Sequence, residues 1–139
     1  MVEKIKIFTE DEREIQLEAK IDTGAYSTSV DINLAKELGF GELLKKFNKI
    51  DFSKYKLKRG YGVQIEKEIL EKYKNKIEGL YDVATVFSSS GSSIRPVVKI
   101  KFEMDGEMVH SKANITDRAD LKYQIIIGRK NLKKFLIEI

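Results

Sequence analysis

The stretch Ala19–Asp31 reads AKIDTGAYSTSVD. In a chain crowded with lysine and glutamate, it sets one acid, Asp22, between apolar Ile21 and the pair Thr23 and Gly24. Two readings are open. Asp22 can be the acceptor of an Asx-type turn that closes a strand, with Gly24 supplying an awkward backbone angle. It can also be half of a catalytic pair. Both readings need a strand leading into it, and the upstream residues provide one. Ile15, Leu17, Ala19 and Ile21 alternate with Glu14, Gln16, Glu18 and Lys20, the period of a half-buried strand. Lys4 to Phe8 makes an antiparallel partner across the polar turn TEDER.

Downstream, three amphipathic helices are expected. The first is capped by Asp31 or Ser29, has Leu34, Ala35 and Leu38 on its apolar side, and stops at Gly39. The second is GELLKKFNKI, with Leu43, Leu44, Phe47 and Ile50 in one stripe. The third places Ile65, Ile69, Tyr73 and Ile77 four residues apart, beside Leu70 and Leu80, with Gly79 as its stop. Core-facing packing accounts for all three. The chain then returns to strands. YDVATVF is β-branched and aromatic, and Ser88 to Ser93 forms a polar loop around Gly91. In IRPVVKIKFEM, Val98, Ile100, Phe102 and Met104 alternate with charged residues. Asp105-Gly106 predicts a two-residue hairpin into EMVHSKANI. Ile125 to Ile127 reads as a fully buried strand that breaks at Gly128 and turns through Leu132. The two ends echo each other. KIKI and then AKIDTGA (Ala19 to Ala25) resemble KIKF and then ANITDRA (Ala113 to Ala119), which suggests a pseudo-symmetric β domain. Similar composition of two Lys/Ile-rich hairpins is the plainer account.

Composition narrows the function. The 139 residues suffice for one domain with one core. Charged residues are 35% of the chain, mostly Lys and Glu, with one proline, Pro96. Such usage suits a heat-adapted protein carrying surface ion-pair networks, and an AT-rich genome gives the same bias. The net charge of +4 is mild and dispersed, which leans toward acidic partners without indicating nucleic acid. The densest basic stretch, Lys54 to Gly62, reads as a solvated segment. The absence of cysteine excludes disulfides, thiol nucleophiles and thiolate metal sites. The single histidine, His110, excludes a His-rich zinc site within one chain and reads as a structural or exposed strand residue. There is no apolar run of about 18 residues, and MVEKIKIFTEDE is charged too early for a signal peptide. A cytoplasmic protein that does not meet the membrane is expected.

Catalysis by Asp22 would need company. A carboxylate activates water for amide hydrolysis when a second carboxylate lies about 3 Å away and the two share one proton. The chain has one D-T-G loop, so the partner must come from a second copy, as a symmetric dimer with Asp22 near its axis. In such a loop the Thr23 hydroxyl can lock the turn by hydrogen bonding.

IDTGAYSTSVDINLAKELGF, followed far downstream by IIIGRKNL, resembles a retropepsin-like aspartic protease. SSSGSSIRPVV and TDRADLKYQIIIGRKNL resemble one branch of that family, commonly labelled ATP-dependent zinc protease. The resemblance implies a mainly β fold with inserted helices (α+β class). It would be a retropepsin-like closed β-barrel, one lobe per chain, spanning 1–139 with a helical insertion at about residues 40–80. It implies an aspartic endopeptidase acting as a homodimer on a peptide or protein. Bacterial relatives in the branch are associated with trimming acidic tails, and the positive charge is compatible with an acidic substrate. By resemblance Asp22 is the catalytic aspartate, Thr23 grips the opposite subunit's loop, and Gly24 and Ala25 line the cleft through their backbone. Ser88 to Ser93, including Ser89, Ser90, Gly91 and Ser92, would be the tip of a flap over substrate. Arg118 and Arg129 match the T-D-R and G-R motifs and are expected in buried structural ion pairs, with Asp117 as the local partner. Asp117 lacks a following glycine, which disfavours it as a second catalytic acid. No phosphate loop, H-E-x-x-H or cysteine pair is present, so neither ATP, zinc nor another cofactor is expected. The rival reading is a non-catalytic retropepsin-like module for peptide binding or assembly. A peptide-sensing domain that docks partners through Ser53 to Leu80 is a third.

Overall fold

A computed structural model of the chain describes residues 1–55, 60–88, 91–117 and 122–133. Strand β1 (Val2–Phe8) and strand β2 (Glu14–Asp22) form the expected hairpin, with Ile5 opposite Leu17 and Ile7 opposite Ile15. The intervening turn is tied at Thr9. Its amide donates to the Arg13 carbonyl at 2.8 Å, and its hydroxyl oxygen accepts the Arg13 amide at 2.8 Å. Glu12 takes a positive φ of 64°. The Thr9 hydroxyl and then the Arg13 guanidinium hold the Asp11 carboxyl below its ordinary range. Asp11 also forms an exposed ion pair with Arg13, Nε to Oδ2 at 2.9 Å.

After β2 come strand β3 (Thr28–Asp31) and helix α1 (Ile32–Ala35), capped by Asp31, whose carboxylate accepts the Asn33 amide at 2.9 Å. A wide turn, Lys36–Phe40, contains Gly39 at φ 111°, which breaks the helix where the sequence predicts. Helix α2 (Gly41–Phe47) buries Leu43, Leu44 and Phe47. Helix α3 (Gly62–Tyr73) buries Ile65 and Ile69. Its regular part ends before Ile77, contrary to the periodicity. The Lys76 and Ile77 amides both donate to the Tyr73 carbonyl at 2.9 Å, and this tighter turn still delivers Ile77 to the core at 3% exposure.

Strand β4 (Asp82–Ser88) pairs with strand β5 (Gly91–Met104), and strand β6 (Glu107–Thr116) returns through Asp105 and Gly106, both at positive φ. Gly91 to Ser93 are strand residues, paired with Val86 to Ser88, so the polar stretch forms less of a loop than expected. Strand β7 (Ile125–Gly128) is wholly buried and leads into a 3₁₀ turn, Arg129–Asn131.

Among the described residues seven strands form one sheet in the order β1-β2-β7-β3-β6-β5-β4, and β1 also pairs with β5. The first six strands therefore close on themselves, with β4 outside the ring. Ring closure removes most free strand edges. The fold is mainly β with a few helices, as the sequence implies. Residues of both layers, from Ile5 and Phe102 in strands to Leu34, Phe47 and Ile69 in the helical segments, meet in one hydrophobic cluster. The echo between the chain ends has a counterpart in the pairing. β2 takes β7 as a parallel neighbour and β6 takes β3, while β3 and β7 run antiparallel between them. Each hairpin thus pairs with the strand that follows the other hairpin.

Candidate active site

Asp22 is the last residue of β2 and stands opposite Gly128 of β7. It is half-buried. Its Oδ1 accepts the Gly24 amide at 3.0 Å, and its carbonyl accepts the Ala25 amide at 3.1 Å. This is the Asx turn of the plainer reading. It occupies one carboxylate oxygen and sets the direction of the other, so it also serves the catalytic reading. A Cβ on Gly24 would sit 3.2 Å from Oδ1, close enough to push the carboxylate aside. Thr23 is exposed and its hydroxyl makes no hydrogen bond among the described residues, so backbone amides rather than that hydroxyl fix the turn.

The loop beyond is laid over the turn that follows β7. The Arg129 amide donates to the Ala25 carbonyl at 2.8 Å and the Lys130 amide to the Tyr26 carbonyl at 3.2 Å. The crossing leaves no room for a side chain beneath it. A Cβ on Gly128 would lie 2.6 Å from the Ser27 carbonyl carbon and oxygen and 2.7 Å from the Tyr26 oxygen. The Gly128 amide donates to Thr28 Oγ1 at 3.2 Å, and the Thr28 hydroxyl donates to Asn131 Oδ1. Asn131 Oδ1 also accepts the Ser111 hydroxyl at 2.8 Å. Asn114 Nδ2 donates to the Thr28 carbonyl at 3.2 Å, and Arg95 Nη1 donates to Asn114 Oδ1 at 3.0 Å. A polar chain thus runs from β5 through β6 and β3 to the floor under Asp22. Buried polar groups satisfied in this way fix geometry, because each would be costly left alone.

Residues 2–139 match the family model of the RimB-like proteins, described as retropepsin-like aspartic endopeptidase RimB. The chain belongs to the RimB-like family. The ATP-dependent zinc label of the branch is no part of that description. No curated protein sequence matches this RimB-like chain. Among solved structures it is similar to Lpg0085 of Legionella pneumophila, a protein of unknown function. Identity there is 21% and the TM-score 0.44, over 94% of this chain and 82% of that one. It is also similar to the protease of Simian Foamy Virus (mac), at 13% identity and TM-score 0.49, over 100% and 99% of the two chains. A retropepsin-like aspartic protease from Rickettsia conorii is similar at 15% identity and TM-score 0.45, over 100% and 86%.

The residues singled out in the sequence fall in three places. Asp22, Thr23, Gly24 and Ala25 form the loop just described. Gly91 and Ser92 stand opposite Ser88 and Phe87 at the end of the β4/β5 hairpin. Ser89, Ser90 and Arg118 lie outside the described residues. Two of the residues expected in buried ion pairs lie at the surface. Asp117 and Arg129 are both exposed, because each follows the last residue of a strand where the chain leaves the sheet. The Arg129 guanidinium lies over the Tyr26 ring at 5.3 Å instead, a cation–π contact on the face of the site loop. His110 is exposed on β6. A cleft of about 550 Å³ opens beside the loop, between Tyr26, Thr28 and Asn131 on one side and Glu66 and Asp82 on the other. Lys112, Lys130 and Lys133 also line it, and Asp22 does not. No helix among the described residues is long and apolar enough to cross a membrane.

Sequence reasoning missed Thr28, Arg95, Asn114 and Asn131. Each stood inside a quoted motif, yet nothing in residue type alone said that their side chains would meet.

Proposed function

We propose that this RimB-like chain is an aspartic endopeptidase whose site is completed by a second copy of itself. The observation that carries the reading is the Asp22 carboxylate, pinned through one oxygen by the Gly24 amide at the end of β2. Two such carboxylates about 3 Å apart cannot both ionise. The ionised one takes a proton from a water held between them as the water attacks the peptide carbonyl, and the protonated one hydrogen-bonds the carbonyl oxygen. Thr23, with its hydroxyl free toward solvent, grips the loop of the other copy. Ala25 lines the cleft, and the stretch Ser89 to Ser92 serves as a flap that limits bulk water around the substrate. Asp117, Arg118 and Arg129 serve structure rather than chemistry. Lysines 112, 130 and 133 beside the loop suit an acidic peptide. No ATP, metal or other cofactor takes part, and the protein acts in the cytoplasm.

The test is cleavage of a peptide library, acidic sequences included, followed against protein concentration. Specific activity rises with dimer fraction, and Asp22→Asn lowers kcat by at least about 10²–10⁴-fold, the usual contribution of general acid–base catalysis, while the dimer persists. Activity retained in D22N refutes the assignment. The alternative, a module that binds peptide without cutting it, draws on the cleft, which Asp22 does not line. Peptide affinity unchanged in D22N, with no cleavage by the wild type, would favour it.

A further inference from the structure

One face of the β5/β6 hairpin carries a strip of basic side chains. Lys99 stands opposite Lys112 and Lys101 opposite His110, so all four leave the sheet on the same side, and all four are exposed. Like charges directly opposite each other destabilise an antiparallel pair. The Lys99–Lys112 rung is such a pair, and Tyr81 offsets part of its repulsion. The Tyr81 amide donates to the Val97 carbonyl at 2.9 Å, which sets the ring beside the rung. Lys99 Nζ lies 4.5 Å and Lys112 Nζ 6.0 Å from the ring centroid. One rung on, Lys101 Nζ lies 5.1 Å from the centroid of the Phe8 ring. Ammonium groups held in this way lose less freedom when a ligand arrives. The strip ends at Glu103, opposite Met108.

The strip is continuous with the cleft beside the Asp22 loop. Lys112 and His110 line that cleft together with Lys130 and Lys133. His110 also lines a second hollow of about 180 Å³, shared with Lys99, Lys101 and Phe8. The acids on this path are Glu66 and Asp82 in the cleft and Glu10 in the hollow. Two of the three already hold backbone amides. Glu66 Oε2 accepts the Thr85 amide at 2.8 Å and the Thr85 hydroxyl at 2.6 Å, and Asp82 Oδ1 accepts the Val83 amide at 2.8 Å. The path from Lys130 to Lys101 therefore presents a positive surface, complementary to a ligand that carries a row of negative charges.

We propose that this face of the β5/β6 hairpin is an exosite for an acidic stretch of the polypeptide held in the cleft. The proposal rests on the peptidase reading for calling that polypeptide a substrate. It rests on the charge of the strip and its continuity with the cleft for where the acidic stretch lies. In an extended chain alternate side chains point the same way and stand about 7 Å apart, the spacing of Lys99 and Lys101 along β5. Acids at every second position of such a chain meet successive lysines. Affinity then depends on the length of the acidic stretch as well as on the residues next to the cleaved bond.

The experiment uses the Asp22→Asn protein, in which the peptide stays intact, and labelled peptides with Glu at alternate positions. A peptide of about 4 residues occupies the cleft alone, and one of about 12, rising about 3.3 Å per residue, reaches past Lys101. Fluorescence anisotropy gives Kd for the parent, for Lys99→Gln with Lys101→Gln, and for Lys45→Gln with Lys46→Gln, which removes the same charge from the last turn of α2. The K99Q/K101Q pair weakens the long peptide about fivefold, the sum of two exposed charge contacts, and leaves the short one unchanged. K101Q alone keeps Lys99 on Tyr81, shows a smaller loss of the same kind, and guards against misfolding of the pair. The α2 pair changes neither Kd. With Asp22 restored, K99Q/K101Q raises KM for the long peptide about fivefold and leaves kcat near wild type. An unchanged Kd for the long peptide overturns the proposal. So does an equal loss for both lengths, or the same loss in the α2 pair, since net charge alone would then account for it. A single-stranded RNA of similar length that binds more tightly than the long peptide, and is weakened by K99Q/K101Q, would assign the face to nucleic acid and also overturn it. If the wild type cleaves nothing, the peptidase reading has failed, and the Kd comparison still decides the exosite.

Discussion

Strand β2 runs out at Asp22 opposite Gly128, and strand β6 runs out at Thr116 opposite Asp31. The two ends are built from similar hairpins, each paired in parallel with the strand that follows the other. They differ in what comes next. After β2 the chain offers a carboxylate, a free hydroxyl and a glycine whose amide turns back onto that carboxylate. After β6 the corresponding place is threonine, and the acid one step on, Asp117, precedes arginine rather than glycine. One half of the sheet can aim a carboxylate from a fixed turn, and the other has no residues for that turn. On the proposed peptidase reading, a second copy would have to supply the other such loop.

The most severe way to break the comparison is to exchange charge at the two ends. Asp22→Asn abolishes cleavage, whereas Asp117→Asn leaves kcat near wild type. Equal losses in steady-state assays would show that the halves are functionally alike. Gly128→Ala comes next, since its new methyl would have to displace the backbone of Tyr26 and Ser27. It should cost about 3 kcal/mol in urea unfolding, the upper range for overpacking. An unchanged midpoint would mean that the loop crossing is looser than the distances indicate. Thr28→Val is milder. It keeps the shape but deprives the Gly128 amide and Asn131 of their shared partner, at about 1–2 kcal/mol. Because the same hydroxyl ties the loop to the β7 turn, cleavage should fall alongside stability. Full activity in a destabilised T28V would separate the polar chain from the site.

Periodicity made both hairpins legible, because one buried face per strand forces alternation. The Asp22 loop was legible because D-T-G leaves few backbone choices. Gly39 and Asp105-Gly106 stood where positive φ was needed. What stayed hidden was long-range. Thr28 and Asn131 are 103 positions apart, and only the antiparallel crossing of β3 and β7 brings them together. The end of α3 was misread because Ile77 keeps the helical spacing while the backbone tightens into a turn. Arg118 and Arg129 were expected in buried ion pairs with Asp117 as local partner, and motif proximity carries no information about the strand ends that leave Asp117 and Arg129 exposed. Glu66 was invisible as anything but a solvated helix residue until β4 was placed against it.

The most direct measurement is the separation of the two Asp22 side chains in a crystal of the protein bound to a peptide-like inhibitor. The account predicts a two-fold dimer with the nearest carboxylate oxygens about 3 Å apart, bracketing the inhibitor's central group. A single chain bound to inhibitor, or a dimer whose Asp22 residues face away from each other, would contradict it.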